Sequence, residues 1–208
     1  MSATGRNKKG KERREADFYP TPAWCTRAIL PHLGLHPCHE GRLLSMLDPA
    51  CGDGAILDVL REEFSVKAWG FDIDRTRVAI AASKCHQNAA PQRVWQADAL
   101  EESWPDHVDL VITNPPYSLA SEFVSRFISL FTSKETGELR IDGAFLLGLN
   151  FATSAARAPF HRGFPSDLYV LPKRPSFTGD GKSDMSDYAW FVFGPNRGGR
   201  WKVLEVDP

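Results

Sequence analysis

The sequence predicts an α/β protein built on a doubly wound, mostly parallel sheet. Short apolar runs typical of buried strands alternate along the chain with longer amphipathic runs typical of helices. Several strand runs are followed by polar loops rich in glycine or proline, as expected at the carboxyl edge of such a sheet. The last strand runs have no long helical run between them, which predicts an antiparallel hairpin at one edge of the sheet.

Length and composition favour one globular domain. The chain has 208 residues, of which 42% are hydrophobic and 25% are charged, and its formal net charge is −1. This length is sufficient for one sizeable core, so we expect a single domain over residues 17–208. No apolar run approaches the roughly 20 residues that span a bilayer. The N-terminus has no apolar signal-peptide core, and a cytoplasmic location is therefore predicted.

The N-terminal segment differs from the rest in charge. Six basic and two acidic residues give residues 1–15 a local balance of +4, so the remainder carries about −5. We expect residues 1–16 to form a disordered basic tail, which either adds solubility or binds nucleic acid through its phosphates.

Cysteine spacing predicts neither disulfides nor a metal site. The four cysteines lie at positions 25, 38, 51 and 85, without the paired C-x-x-C spacing of a structural zinc site. We therefore expect reduced thiols and no metal.

Strands and helices are predicted in alternation. Thr21 is a plausible N-cap for a first helix, with Pro22 in its first turn. Later helices are expected from Ala55, over residues 75–88 and over residues 119–131. Strands are expected at residues 43–47, 66–71, 93–96, 108–112, 143–149, 167–171 and 188–193, and residues 201–206 could add an eighth.

The loop after the first predicted strand, residues 48–54 (DPACGDG), is the first candidate ligand site. Gly52 and Gly54 allow positive φ angles and a close backbone approach to a ligand, and the loop leads into a helix N-terminus. The loop has neither the dinucleotide-binding fingerprint nor the lysine of a P-loop, so it does not imply a bound phosphate.

Two further strand ends carry aspartates. Asp72 follows the glycine loop by about twenty residues, where a carboxylate can accept both hydroxyls of a ribose, and Asp74 is expected to cap the next helix. Asp98, after the third strand, either accepts a hydrogen bond from the adenine amine or caps a turn. The three loops together predict a nucleoside site.

The fourth strand ends in Asn114-Pro115-Pro116-Tyr117. The Asn114 side chain and the Pro115 main chain offer two acceptors on a turn that two proline rings stiffen. Two such acceptors can hold both hydrogens of an –NH₂ group and free its lone pair for attack, while Tyr117 can stack on the ring that carries the amine. The plain alternative is a stiff turn.

The ordered motifs resemble a known family. Residues 19–22 (YPTP), 48–54 (DPACGDG), 71–74 (FDID), 97–100 (ADAL) and 114–117 (NPPY) resemble, in this order, the S-adenosylmethionine-dependent amino-methyltransferases of DNA. The similarity is greatest to the small N6-adenine enzymes of phages and prophages, and it covers roughly residues 17–193. It implies a Rossmann-like class I methyltransferase fold with seven strands, S-adenosylmethionine as cofactor without a metal, and duplex DNA with a flipped adenine as substrate.

The resemblance also implies roles by position. Asn114, Pro115, Pro116 and Tyr117 would form the catalytic motif, with Asn114 also near the cofactor. The cofactor's methionine end would lie near Tyr19, Thr21 and Pro22, its sulfonium region within Asp48, Ala50, Gly52 and Gly54, and its nucleoside against Asp72, Ile73 and Asp98.

A late loop could supply contacts to the target. The resemblance implies that an aromatic residue from this loop stacks on the second face of the base, and Phe177 occupies the expected place, although it could instead belong to the core. Arg157, Arg162 and Arg174 could contact phosphates or flanking bases, although scattered surface arginines are common.

The substrate stays open at this stage. Cytosine N4, ribosomal RNA and a glutamine amide in protein are alternatives to adenine N6, and a non-catalytic nucleic-acid-binding module is a further one. We expect no separate target-recognition domain, so residues 132–142, residues 150–167, the tail or a partner would have to provide sequence discrimination. Neither the oligomeric state nor a role in restriction, protection or regulation follows from the residues.

Overall fold

A computed structural model describes residues 20–33, 43–84, 92–177 and 185–206. The predicted basic tail, residues 1–16, lies outside the described residues, and so does Tyr19. Residues 85–88, the predicted end of the third helix, also lie outside them.

The described strands form one eight-stranded sheet. They are β1 (Leu44–Asp48), β2 (Val66–Asp72), β3 (Gln92–Gln96), β4 (Leu110–Thr113), β5 (Asp142–Gly148), β6 (Asp167–Val170), β7 (Tyr188–Phe193) and β8 (Trp201–Val203). Each of the seven strands expected from the sequence is present, and the eighth is confirmed in shortened form.

The strand order confirms the predicted fold class. The order is β3-β2-β1-β4-β5-β7-β6-β8, and the neighbours from β3 to β5 are parallel. Strand β7 is antiparallel to both β5 and β6, so the predicted edge hairpin is formed by β6 and β7. Strand β8 adds a parallel edge beside β6, which makes the sheet one strand wider than the seven expected.

Five α-helices precede or connect the described strands. They are α1 (Ala23–Ile29), α2 (Ala55–Glu63), α3 (Arg75–Lys84), α4 (Ala120–Phe131) and α5 (Ala158–Gly163). In α4, Phe123, Phe127 and Phe131 recur at helical spacing and are buried, as expected for the core-facing side of an amphipathic helix. A single 3₁₀ turn, Tyr117–Leu119, precedes α4, so the helix follows the double proline almost at once.

The predicted helix caps have different outcomes. The Oδ1 atom of Asp74 accepts hydrogen bonds from the backbone N–H groups of Thr76 (2.8 Å) and Arg77 (3.2 Å), which confirms its capping role at α3. The prediction for Thr21 is wrong. The N-cap of α1 is Pro22, and no side chain caps this helix. Thr21 instead makes a long-range contact in the cleft described below.

Alternation along the strands produces one hydrophobic core on each face of the sheet. In β5, Ala144 and Leu146 belong to one core, whereas Phe145 and Leu147 belong to the other. All four side chains are at most 1% exposed, so β5 is buried on both faces of the sheet.

A cluster of charged residues lies at the amino edge of the sheet. Asp142 is the first residue of β5, and Asp167 is the first residue of β6. Arg197 follows β7, and its guanidinium donates hydrogen bonds to both carboxylates. The Nε atom of Arg197 donates to Asp142 Oδ1 at 3.2 Å, and Nη1 lies 3.3 Å from Asp167 Oδ2. Arg200 donates its backbone N–H to Asp167 at 2.9 Å. We call Asp142, Asp167, Arg197 and Arg200 the amino-edge ion cluster.

None of the helices in the described ranges is long and apolar enough to cross a membrane.

Candidate active site

A cleft of about 750 Å³, including its open mouth, lies at the carboxyl edge of the parallel strands. This is the edge at which open α/β sheets bind their ligands. Nine of the residues predicted from the sequence line it: Thr21, Asp48, Ala50, Gly52, Asp72, Ile73, Asp98, Asn114 and Pro116. The remaining predicted residues that the structure describes are not among its lining residues. They are Pro22, Gly54, Pro115, Tyr117, Phe177, Arg157, Arg162 and Arg174.

The glycine loop forms the floor of the cleft through a backbone that other residue types would strain. Gly52 and Gly54 have φ angles of 52° and 90°, which lie in the left-handed region. Gly54 is the N-cap of α2, and the N–H of Gly52 donates to Asp72 Oδ2 at 2.9 Å. The loop between β1 and α2 is thereby tied to the end of β2.

Asp48 is a buried carboxyl group without a cationic partner among the described residues. Its side chain is 1% exposed, and Oδ1 accepts the backbone N–H of Ala50 at 3.1 Å. Burial raises the pKa of Asp48 to about 7, and the negative charge of Asp72 adds to this rise. The nearby Thr113 hydroxyl and the hydrogen bond from the Ala50 N–H oppose this rise only in part.

Asp72 is placed to accept further hydrogen bonds from a ligand. Its Oδ2 accepts from Gly52, and its Oδ1 accepts from the N–H of Asp74 at 2.9 Å. A carboxylate has about four acceptor positions, so one position on each oxygen remains for a pair of hydroxyls. Burial raises the pKa of Asp72, and the two backbone hydrogen bonds counteract this effect.

Ile73 and Asp98 form the side of the cleft between β2 and β3. Ile73 is 45% exposed, and its side chain gives this side of the cleft an apolar surface that a ligand can contact. Asp98 accepts the N–H of Leu100 at 3.0 Å, so it stabilises its own turn and lines the cleft as well. The two readings of Asp98 made from the sequence are therefore compatible.

Asn114 lies at the end of β4 and faces the cleft. Its Nδ2 atom donates to the hydroxyl of Thr21 at 3.0 Å across 93 residues of sequence. The next residue, Pro115, is buried, and the carbonyl of Pro116 accepts the N–H of Leu119 at 2.8 Å. The double proline therefore forms a rigid turn between β4 and the helical segment.

Tyr117 packs within an aromatic group beside the cleft. Its ring centroid lies 5.2 Å from that of Tyr188 and 6.3 Å from that of Phe177, and Phe177 is only 4% exposed. The planes of Tyr117 and Phe177 meet at 59°, whereas two rings that hold a flat base between them must be nearly parallel. Stacking of a base on both rings stays a prediction, and it requires the rings to turn.

The predicted arginines differ in their surroundings. Arg157 donates to the carbonyls of Phe151 and Asn150, both at 2.9 Å, and so holds its own loop together. Arg174 pairs with Asp187 at 2.7 Å, which joins the two sides of the late loop. Arg162 is exposed at the end of α5. A contact of these three with nucleic acid stays a prediction.

Asp53 is a cleft residue that sequence reasoning missed. Its side chain lines the cleft, and its buried Oδ1 atom has no hydrogen-bond partner within the part of the chain that the structure describes. Lys84 bonds the main-chain carbonyl of Asp53 at 2.8 Å and so fixes the loop beneath it. The available signal was its position between Gly52 and Gly54 at a helix start.

A metal centre has no support in the described ranges, where no group of three or more potential ligand side chains is found.

Comparisons with known proteins agree with this geometry. The family model described as methyltransferase small domain matches residues 25–164. No curated protein sequence matches the chain.

Among solved structures, a protein of Listeria monocytogenes assigned as a class I S-adenosylmethionine-dependent methyltransferase aligns with a TM-score of 0.65 at 16% identity. The alignment covers 88% of this chain and 65% of that one. A dimethyladenosine transferase from Plasmodium falciparum aligns with a TM-score of 0.64 at 13% identity, over 86% of this chain and 64% of that one. The 23S rRNA methyltransferase ErmE aligns with a TM-score of 0.62 at 17% identity, over 88% of this chain and 70% of that one. These likenesses show the Rossmann-like class I methyltransferase fold, and the chain spans less than two thirds of the length of the first two structures.

Proposed function

The chain belongs to the methyltransferase small domain family, and on that premise we propose that it methylates the exocyclic amine of a nucleobase, adenine N6 in DNA, with S-adenosylmethionine as methyl donor. The observation that carries the proposal is the placement of Asn114, on its rigid turn, in the same cleft as the carboxylates suited to a nucleoside.

The charge of the cleft suits this cofactor. Four of its lining residues are aspartates, at positions 48, 53, 72 and 98. Among the described residues only Arg77 adds a basic side chain to the lining, and this side chain lies 3.4 Å from Asp74. Such a balance favours a ligand with cationic groups and disfavours a polyphosphate. The buried Oδ1 of Asp53 fits a positively charged N–H donor, which the ammonium end of the cofactor provides.

The described residues suit the rest of the cofactor as well. When bound, S-adenosylmethionine supplies an electrophilic methyl group on a positively charged sulfur. Asp72 would accept the ribose hydroxyls with the acceptor positions that Gly52 and Asp74 do not use, and Ile73 would pack against the adenine. Asp98 would accept a hydrogen bond from the adenine amine.

The target amine would be held by two acceptors, Asn114 Oδ1 and the Pro115 carbonyl, which we call the amine grip. Acceptors for both hydrogens of an –NH₂ group localise its lone pair on nitrogen, which makes the nitrogen a better nucleophile. The contribution of this chain is therefore positioning and polarisation, and the proton of the amine leaves to solvent. A base in a duplex must leave the stack to reach such a cleft.

An amine in RNA is the second candidate substrate. It is favoured by the names of two structural neighbours, a dimethyladenosine transferase and a 23S rRNA methyltransferase. Both share 17% identity or less with this chain, so DNA remains the first proposal on the motif order.

Label transfer to separate substrate pools tests the proposal. The protein is incubated with methyl-labelled cofactor and, in parallel, with mixed-sequence DNA, total RNA and a protein pool, and the DNA and RNA products are digested to nucleosides. We expect label in DNA as N6-methyladenine. Label in an amine of RNA would favour the second candidate, and label in DNA cytosine or in protein would contradict both. The Asn114→Ala variant is the matched control, because it removes one acceptor of the amine grip.

A further inference from the structure

We propose that Thr21 is a positioning residue, whose hydroxyl holds the Asn114 carboxamide so that the amide oxygen is turned toward the amine to be methylated. This inference rests on the proposed function and deepens it. It gives Thr21 a role through the amine grip, in place of the cofactor contact that the family resemblance implies.

The Thr21 hydroxyl is engaged in the cleft and not at the start of α1. Pro22 is the N-cap of that helix, and its first turn has no side-chain cap. Thr21 is only 5% exposed, and its Oγ1 accepts a hydrogen bond from Nδ2 of Asn114 at 3.0 Å. A buried hydrogen bond between segments 93 residues apart forms only in the folded chain, so it does not result from local sequence.

The remaining freedom of Asn114 lies in its side chain. Thr113 is fully buried and pairs in register with Phe145, and Pro115 restricts the backbone on the other side. The torsion that turns the carboxamide is broad and roughly two-fold, so it needs an external contact to select one orientation. The Thr21 hydroxyl is one contact that holds the carboxamide in the observed orientation.

The orientation decides whether the amine grip can work. With Nδ2 on the Thr21 side, Oδ1 occupies the other branch of the amide and can accept a hydrogen from the target amine. The reversed amide would present N–H donors to an amine whose hydrogens are also donors. A hydroxyl can accept or donate, so its chemistry alone does not select the branch, and the observed pairing of Nδ2 with Oγ1 carries the inference.

Thr21→Val and Thr21→Ser provide matched variants. Valine keeps the shape of threonine and removes the hydroxyl, whereas serine keeps the hydroxyl. We expect kcat to fall about tenfold in Thr21→Val, as for the loss of one hydrogen bond, and to stay within about threefold in Thr21→Ser. The cofactor Kd from calorimetry should stay within about twofold in both variants, because the hydroxyl acts on Asn114.

A second readout does not need the target substrate. The side-chain amide resonances of Asn114, assigned by their loss in Asn114→Asp, should exchange slowly with solvent in the wild-type protein and in Thr21→Ser, and rapidly in Thr21→Val. This measurement decides the role of Thr21 even if the wild-type protein methylates none of the three pools, which would refute the proposed function alone.

Three results would overturn the inference. One is an unchanged kcat in Thr21→Val. Another is a cofactor Kd that rises as much as kcat falls, which would make Thr21 a cofactor contact. The third is unchanged exchange of the Asn114 amide in Thr21→Val.

Discussion

Asp48 and Asp167 are buried carboxyl groups at opposite edges of the same sheet, and they differ in their partners. Asp48 is 1% exposed and Asp167 is fully buried. In the part of the chain that the structure describes, Asp48 accepts a hydrogen bond from the neutral N–H of Ala50 and from no cation, and burial raises its pKa to about 7. Burial also raises the pKa of Asp167, but hydrogen bonds from Arg200 and Arg197 outweigh this effect and leave the pKa below its usual value.

The difference shows at which edge of the sheet the chain itself supplies cationic partners for its aspartates. At the amino edge, arginines satisfy the buried carboxylates, which fixes the antiparallel part of the sheet. At the carboxyl edge, the carboxyl groups of Asp48 and Asp53 have no cationic partner among the described residues, and both residues line the cleft. A carboxyl group with a raised pKa beside a cleft, such as Asp48, marks a candidate functional site, and acidic side chains that line a cleft attract cationic ligands.

Arg197→Ala should produce the largest loss of stability. Removal of Arg197 leaves Asp142 and Asp167 without their shared guanidinium in a buried setting, and we expect the free energy of unfolding to fall by about 3–5 kcal/mol. Chemical denaturation measures this quantity. Arg174→Ala is the matched control, because its pair with Asp187 is exposed and should contribute less than about 1 kcal/mol. Equal losses in the two variants would refute the contrast between the edges.

Asp48→Asn should remove a pH dependence of stability. The pKa of Asp48 lies near 7 in the folded protein and near 3.8 in the unfolded chain, so the folded state binds this proton more tightly. The resulting stability is fully present below the unfolded pKa and is lost as the pH rises through about 7. Without cofactor, the wild-type protein should lose on the order of 3 kcal/mol more than Asp48→Asn between pH 4.5 and pH 8. Parallel stability curves for the two proteins, from denaturation at several pH values, would contradict this account.

Asp72→Asn should act on cofactor affinity more than on folding. Its carboxylate is predicted to bind the ribose, and hydrogen bonds to a charged group are worth about 1.5–3 kcal/mol, so the cofactor Kd should rise about 10- to 100-fold. Calorimetric titration measures it. Asp74→Asn is the control, since asparagine also caps helices well and the Kd should not change. An unaltered cofactor Kd in Asp72→Asn would refute the prediction that Asp72 binds the ribose.

The carboxyl edge could be predicted from the sequence because its residues follow strand ends directly. Parallel strands bring their carboxyl ends to one edge, so Asp48, Asp72 and Asn114 could be placed together without coordinates. The capping role of Asp74 was equally local, and it is confirmed. The chemistry of each residue type and its position after the preceding strand were sufficient to predict these residues.

Contacts between distant segments could not be predicted. Thr21 before Pro22 has the local pattern of an N-cap, but a partner 93 residues away engages its hydroxyl. Arg197 and Asp142 are 55 residues apart, and nothing in their surroundings in the sequence indicates the pairing. Strand β8 has three exposed residues in succession, so it lacks the burial pattern that identifies a strand.

The amine grip is the central claim, and Asn114→Ala tests it most directly. Transfer of labelled methyl to the preferred pool, the cofactor Kd and the unfolding free energy are measured side by side in the wild-type protein and the variant. We expect kcat to fall by about 10²–10³ or more, as when one preorganised hydrogen-bonding group is removed from an active site, while the Kd and the stability change little. Undiminished turnover in Asn114→Ala would contradict the account.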